Sequence, residues 1–228
     1  MTACRKTQTS PAPTGRTIPT RYPDRARHDA ESVRQIIDEA LHCHLAFTVD
    51  EEPRVLPTLH ARDGDTLYLH GSTGSGPMLA ARTPDGMPAC VAITLFDGLV
   101  LARSQFHHSA NYRSVVIHGR ARLVTDETEK RRALTALVEH MVPGRSADSR
   151  PPSAKELAQT AVLAMPLDES SAKIRMGNAL DEPEDMALPH WAGVVPLRVV
   201  ASPPEPAADN LAVTPPAYLE AYVNQRKP

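Results

Sequence analysis

Between Cys90 and Val124 the chain sets apolar runs around one dense polar cluster, and this stretch limits its fold more than any other. Residues 89–96 and 99–104 read as two strands joined at Asp97-Gly98, a dipeptide that favours a tight hairpin turn. Residues 115–124 read as a third strand, with Val116, His118, Arg120 and Arg122 alternating against Val115, Ile117, Gly119, Ala121 and Leu123. Between them stand Phe106, His107, His108, Ser109, Ala110, Asn111, Tyr112, Arg113 and Ser114. Strands that only build a wall need no such cluster, whereas a ligand site does.

The rest of the chain supplies more short strands. Asp29 is placed to cap a helix in which Val33, Ile36, Ile37, Ala40 and Leu41 keep helical spacing. Residues 45–49, 54–61 and 66–70 then form a meander, with Asp63-Gly64-Asp65 as its second turn. A short helix is expected over 77–82. A longer amphipathic helix starts at Thr125 or Asp126, carries Leu134, Leu137, Val138 and Met141 on one face, and stops at Pro143-Gly144. A third helix over 153–159 precedes strands at 162–166, 172–175 and 193–200. Short strands at regular spacing with helices between them point to an antiparallel barrel in a mainly β, α+β chain rather than to a parallel α/β sheet.

The 22 prolines gather at the ends and in two connectors. Residues 1–28 are therefore expected as a disordered leader, 29–200 as one folded domain and 201–228 as a proline-rich tail. Charge excludes some partners: 25 basic residues meet 27 acidic ones, with no basic block to track a nucleic-acid backbone. No apolar run approaches the ~20 residues that span a bilayer, and no apolar core follows the basic N-terminus as in a secretion signal. Three cysteines without metal-like spacing suit a reducing cytoplasm.

Several groups could carry chemistry. His70, Gly71, Ser72, Thr73, Gly74, Ser75 and Gly76 link a strand to a helix, and their amides and hydroxyls could meet a phosphate; a flexible polar loop is the plainer alternative. Pro57 sits inside the run Arg54, Val55, Leu56, Pro57, Thr58, so that strand is an edge, carries a bulge, or opens toward a planar ligand. His107 and His108 point to opposite faces of a strand and do not make a metal site together, and no other metal motif stands nearby. Haem ligation by one of them stays open. Lys173 and Arg175 share a face and could hold an anion or lie in solvent. The lone Trp191 suits a core or an interface as well as a cofactor contact.

The succession of Arg54 to Thr58, Tyr68-Leu69-His70-Gly71-Ser72, Asp97-Gly98-Leu99, Phe106-His107-His108-Ser109, Asn111-Tyr112-Arg113-Ser114-Val115 and Trp191-Ala192-Gly193-Val194-Val195-Pro196-Leu197 resembles the pyridoxamine 5'-phosphate oxidase-like flavin-binding split barrels. It looks closest to the branch that includes the nitroimidazole reductases, over residues 28–200. The resemblance implies an antiparallel six-stranded split β-barrel with peripheral helices. It also implies a homodimer with one FMN at each of two sites between subunits. The backbone of Arg54, Val55, Leu56, Pro57 and Thr58 would line the isoalloxazine, while Leu69, His70, Gly71, Ser72 and Ser75 would hold the ribityl phosphate. Ser114 would sit against the flavin, and Trp191 would approach from the second subunit.

One departure bears on charge. True pyridoxamine phosphate oxidases place an Arg-Lys pair on the phosphate near the position of Ser75-Gly76, which leaves Arg54, Arg113, amides and hydroxyls to meet it here. The C-terminal arginine-histidine segment that grips the pyridoxal ring is also absent, so vitamin B6 chemistry is not expected. The expectation is an FMN-dependent oxidoreductase of a small electron-poor substrate, with His107 or His108 as proton donor. The alternatives are a non-catalytic flavin-binding protein, a haem-binding barrel with a histidine ligand, and a deazaflavin protein.

Overall fold

Asp29 accepts the Ser32 amide at 2.8 Å and so caps helix α1 (Ala30–Glu39), whose Val33, Ile36 and Ile37 turn inward along one face. The computed structural model describes residues 13–211 and 214–227. After β1 (Ala26–Arg27) and α1 come β2 (His42–Val49), β3 (Glu52–Asp63), β4 (Thr66–Ser72), helix α2 (Gly76–Ala80), β5 (Met87–Leu101) and β6 (Ser109–Leu123). Helices α3 (Glu127–Met141) and α4 (Ala154–Gln159) lead to β7 (Thr160–Pro166), β8 (Ser170–Arg175), β9 (Gly193–Pro196) and helix α5 (Ala217–Gln225).

Antiparallel pairing runs β2–β3–β4–β7–β6–β5 and returns from β5 to β2, closing six strands into a ring. Strand β8 hangs on β6, β1 on β8, and β9 on β5. This is the expected six-stranded antiparallel split barrel with peripheral helices. Its interior packs Cys43, Leu45, Leu69, Val91, Ile117 and Leu163 against the inward face of α1. Ile37 has no exposed surface, so cutting it to alanine costs about 2–5 kcal/mol. On the outside, α3 covers Tyr68, Val162 and Ala164 with Ala133 and Leu134.

Two expectations are corrected. Asp97-Gly98 is not a turn: β5 runs unbroken from Met87 to Leu101, and its register against β6 steps between Phe96 and Gly98. The extra residue is a bulge that aims the Asp97 carboxylate at Arg113 (2.9 and 2.8 Å). Gly98 serves close approach, since a Cβ there would stand 2.9 Å from the Val195 carbonyl and push β9 away. The hairpin turns instead over residues 102–108, and the polar cluster from Ser109 onward is strand β6 itself.

The second correction concerns the ends. Residues 1–12 lie outside the described residues, but 13–27 form a strap along the barrel rather than a disordered leader. Thr14 and Arg16 bind the Glu169 carboxylate, and Ala26 and Arg27 pair with Lys173 and Ala172. In the tail, α5 buries Val223, Tyr218 donates to Asp148 at 2.8 Å, and the Tyr218 ring packs on Gly144.

His60 makes the fold sensitive to pH. It is fully buried, donates from Nε2 to the Ile37 carbonyl at 2.9 Å, and lies with its ring centroid 4.9 Å from that of His140, the two rings tilted. Burial pushes its pKa down to about 4 from an ordinary 6.5. Between those values the unfolded chain holds a proton that the folded one does not, so stability falls as pH drops from 6.5 to 4. The loss due to this one residue is on the order of 3 kcal/mol. Denaturant unfolding at pH 7 and pH 4 should show a smaller acid loss in His60→Gln, whose amide can still donate to Ile37. Equal losses would contradict the assignment.

Candidate functional site

The ring parts at one place. Strand β3 pairs with β2 through residues 52–59 but with β4 only through 60–63, since beyond Leu69 β4 leaves β3 while it stays paired with β7 to Ser72. From Arg54 to Leu59 one backbone edge of β3 therefore has no strand beside it. Pro53 and Pro57 stand four residues apart, so their nitrogens face the same side, and facing the open edge they remove no ladder bond. Arg54 and Pro57 are exposed and Thr58 is half-buried. Val55 is 65% and Leu56 42% exposed, an apolar lip on an unpaired edge. Such an edge draws a planar ligand or another chain.

Beside this edge runs the loop from His70 to Gly76, and it is ordered by its own bonds. Ser75 donates its amide and its hydroxyl to the Ser72 carbonyl, each at 2.9 Å, and the Gly74 amide reaches Ser72 Oγ at 3.4 Å. The Thr73 amide binds the Gln159 carbonyl at 3.1 Å. A Cβ on Gly71 would come within 3.1 Å of Met78 and 3.3 Å of Ser75, so glycine lets the loop fold tightly after Leu69, which is buried. Sequence reasoning missed one group. Arg82, nine residues on, donates to the Thr73 carbonyl at 3.2 Å and brings a guanidinium to a loop that has no cation of its own. His70 is half-buried with an unpartnered Nδ1, and burial lowers its pKa and favours the neutral ring.

The remaining candidates lie on the β5–β6 arm. His107 Nδ1 is 2.7 Å from Ser104 Oγ, and its Nε2 is 3.5 Å from the Glu182 carboxylate. His108 Nδ1 is 2.9 Å from the Ser104 carbonyl. A carbonyl only accepts, so Nδ1 carries the proton and the Nε2 lone pair is left free on an exposed side chain. Trp191 is 66% exposed, and its indole covers Gly193. Arg103 fixes the segment between β8 and β9 by giving its amide (2.7 Å) and guanidinium (2.8 Å) to the buried Asp181 carboxylate.

Arg113 is not open to a phosphate. Its guanidinium is shared between Glu39 and Asp97, which raise its pKa, and it ties α1 to the bulge of β5. Ser114 donates to the Lys173 carbonyl at 3.3 Å and lies under the strap. Strands β2 and β5 stand between β3 and β6, a separation of about 14 Å at the usual strand spacing. The site residues thus fall into two groups, the β3–β4 edge and the β5–β6 arm, which one chain does not bring into contact. Among the described residues no three His, Cys, Asp or Glu side chains are grouped to hold a metal ion, and no helix is long and apolar enough to cross a membrane.

Comparison with known proteins agrees with this geometry. The family model described as pyridoxamine 5'-phosphate oxidase matches residues 29–174. The structure of the flavocytochrome Anf3 from Azotobacter vinelandii is similar at 38% identity and a TM-score of 0.85, over 92% of this chain and 98% of that one. The FAD and haem binding protein from Mycobacterium smegmatis is similar at 36% identity and a TM-score of 0.82, over 87% of this chain and 97% of that one. No curated protein matches.

The role given to Arg113 has a stability consequence. Arg113→Met leaves Glu39 and Asp97 without their shared donor and should lower unfolding stability by about 1–2 kcal/mol at neutral pH. An unchanged denaturation midpoint would show that the knot is unimportant.

Proposed function

The chain belongs to the pyridoxamine 5'-phosphate oxidase family, and from that premise we propose that it is a flavin-binding oxidoreductase of a small molecule. The observation that carries the reading is the unpaired, apolar β3 edge beside the closed His70–Gly76 loop, in a chain alike over nearly its whole length to a flavocytochrome. A bound flavin supplies transfer of a hydride or of electrons. The chain supplies the setting. Backbone groups from Arg54 to Thr58 meet the polar rim of the ring, and of the alternating neighbours Val55 and Leu56 the one on the ring's side packs on it and keeps water from that side. The Ser72 hydroxyl, which accepts from Gly74 and keeps its own proton to donate, and the Arg82 guanidinium meet the first phosphate, a part common to FMN and FAD, on a loop whose other donors hold its shape. FMN is the form proposed here, and FAD is the other form that the measurement below separates.

The second half of the site comes from a second copy. Phe96, Leu99, Phe106 and Trp191 leave the arm with exposed apolar surface, which a homodimer covers. Trp191 and His107 of one copy then close over the β3 edge of the other, with His107 as proton donor, its ring oriented by Ser104 and Glu182. The free cysteines Cys43 and Cys90 suit a cytoplasmic setting.

One observation favours haem as a second group. An imidazole that gives Nδ1–H to a backbone carbonyl and keeps its Nε2 lone pair free, as His108 does, has the arrangement of a metal ligand. Flavin and haem occur together in the Mycobacterium smegmatis protein named above.

The test is the absorption spectrum of purified protein with released groups identified by mass. Flavin bands are expected with a Soret band, and His108→Ala should lose only the latter. Arg82→Ala should weaken flavin binding about tenfold. A protein that takes up no added flavin would overturn the reading.

A further inference from the structure

Strap residues 13–22 leave a cavity of about 180 Å³ against the outer face of β6 and β8, lined by Arg16, Thr17, Ser114, Ser171 and Lys173 among others. Its charge is unbalanced. Lys173 is half-buried, and its ammonium reaches the Arg21 carbonyl at 3.5 Å at the exposed side of the cavity without an ion-pair partner among the described residues. Arg175, two residues along the same face, is 8% exposed and donates only to neutral acceptors on Asn111, Gly177 and Asn178. Arg25 lies near enough to disfavour its charge further and stacks over Tyr22 at 4.0 Å. Among the described residues none of these three cations has a carboxylate partner, and Glu169 is committed to Arg16 and Thr14. Cations held partly out of water cost free energy unless an anion meets them.

We propose that this cavity binds a small phosphorylated molecule, its phosphoryl group held by the Lys173 ammonium, the Ser171 hydroxyl and the Arg16 Nη1 group that the Glu169 pair leaves unused. Arg16 and Lys173 both face the space while Glu169 balances only one of them, so an oxyanion meets net positive charge there and finds a donor for more than one of its oxygens. At about 30 Å³ per water the space takes a phosphoryl group with a few further atoms. The cavity lies two strands beyond β2 from the β3 edge, so the inference goes beyond flavin binding and does not rest on it. The strap forms one wall, and its two-residue pairing with β8 sets how readily the site opens.

Inorganic phosphate titrated calorimetrically into the purified full-length protein at constant ionic strength tests this. Saturable binding is expected in the native protein, at least about tenfold weaker in Lys173→Gln and largely kept in Lys173→Arg. The visible spectrum of any bound flavin should not change. No saturable binding, equal binding by Lys173→Gln with its unfolding midpoint unchanged, or displacement of flavin by phosphate would each overturn the proposal. A colourless protein that still binds phosphate through Lys173 would end the flavin reading and leave this one standing.

Discussion

A β-strand that loses its neighbour must satisfy a row of backbone amides and carbonyls some other way, and the parting of β3 from β4 puts this chain in that position. Natural sheets usually blunt such an edge with charge or cover it with a helix. Here the edge keeps two prolines, which have no amide to leave unmet, and two exposed aliphatic side chains beside a tightly bonded loop. Those features suit an occupant that is flat, apolar on its faces and polar on its rim. The closed ring elsewhere allows the opening, because α1 and the barrel lining hold the core without help from that edge.

The arm depends on the same economy of backbone contacts. One inserted residue, Asp97, breaks the β5–β6 register and places a carboxylate where Arg113 can join it to Glu39 of α1. The adjacent glycine admits β9 at close range, and β9 follows directly on Trp191 and Gly193. The exposed indole and the histidine turn are thus set by backbone irregularities rather than by packing in the core. A structure that invests in positioning exposed aromatic and imidazole groups points to contact outside its own chain.

Much of the barrel was legible in the sequence because alternation, caps and turn residues are local signals. Asp29, Asp126 and Ser153 cap the helices that their positions announce. Pro57 marked its strand as one with an unpaired side. Asp97-Gly98 misled because a bulge and a turn use the same small residues, and only the partner strand decides between them. Arg82 could not be found from its neighbours, since it reaches back to Thr73 only after α2 has turned the chain. The strap was hidden by its composition: proline and arginine read as disorder until Glu169 and β8 stand beside them. The separation of the site residues into two groups was not legible either, because strand order is a long-range property.

The central claim is that a working site takes its β3 edge from one chain and its arm from another. Subunit mixing tests it most directly. Leu56→Asp damages the edge, Trp191→Asp damages the arm, and each variant alone should fail to hold flavin. After unfolding and refolding together, mixed dimers carry one intact site each, and flavin binding should return at roughly a quarter of the sites. Binding that stays absent in the mixture, or a Trp191→Asp protein that holds flavin as the native one does, would mean that each chain builds its site alone.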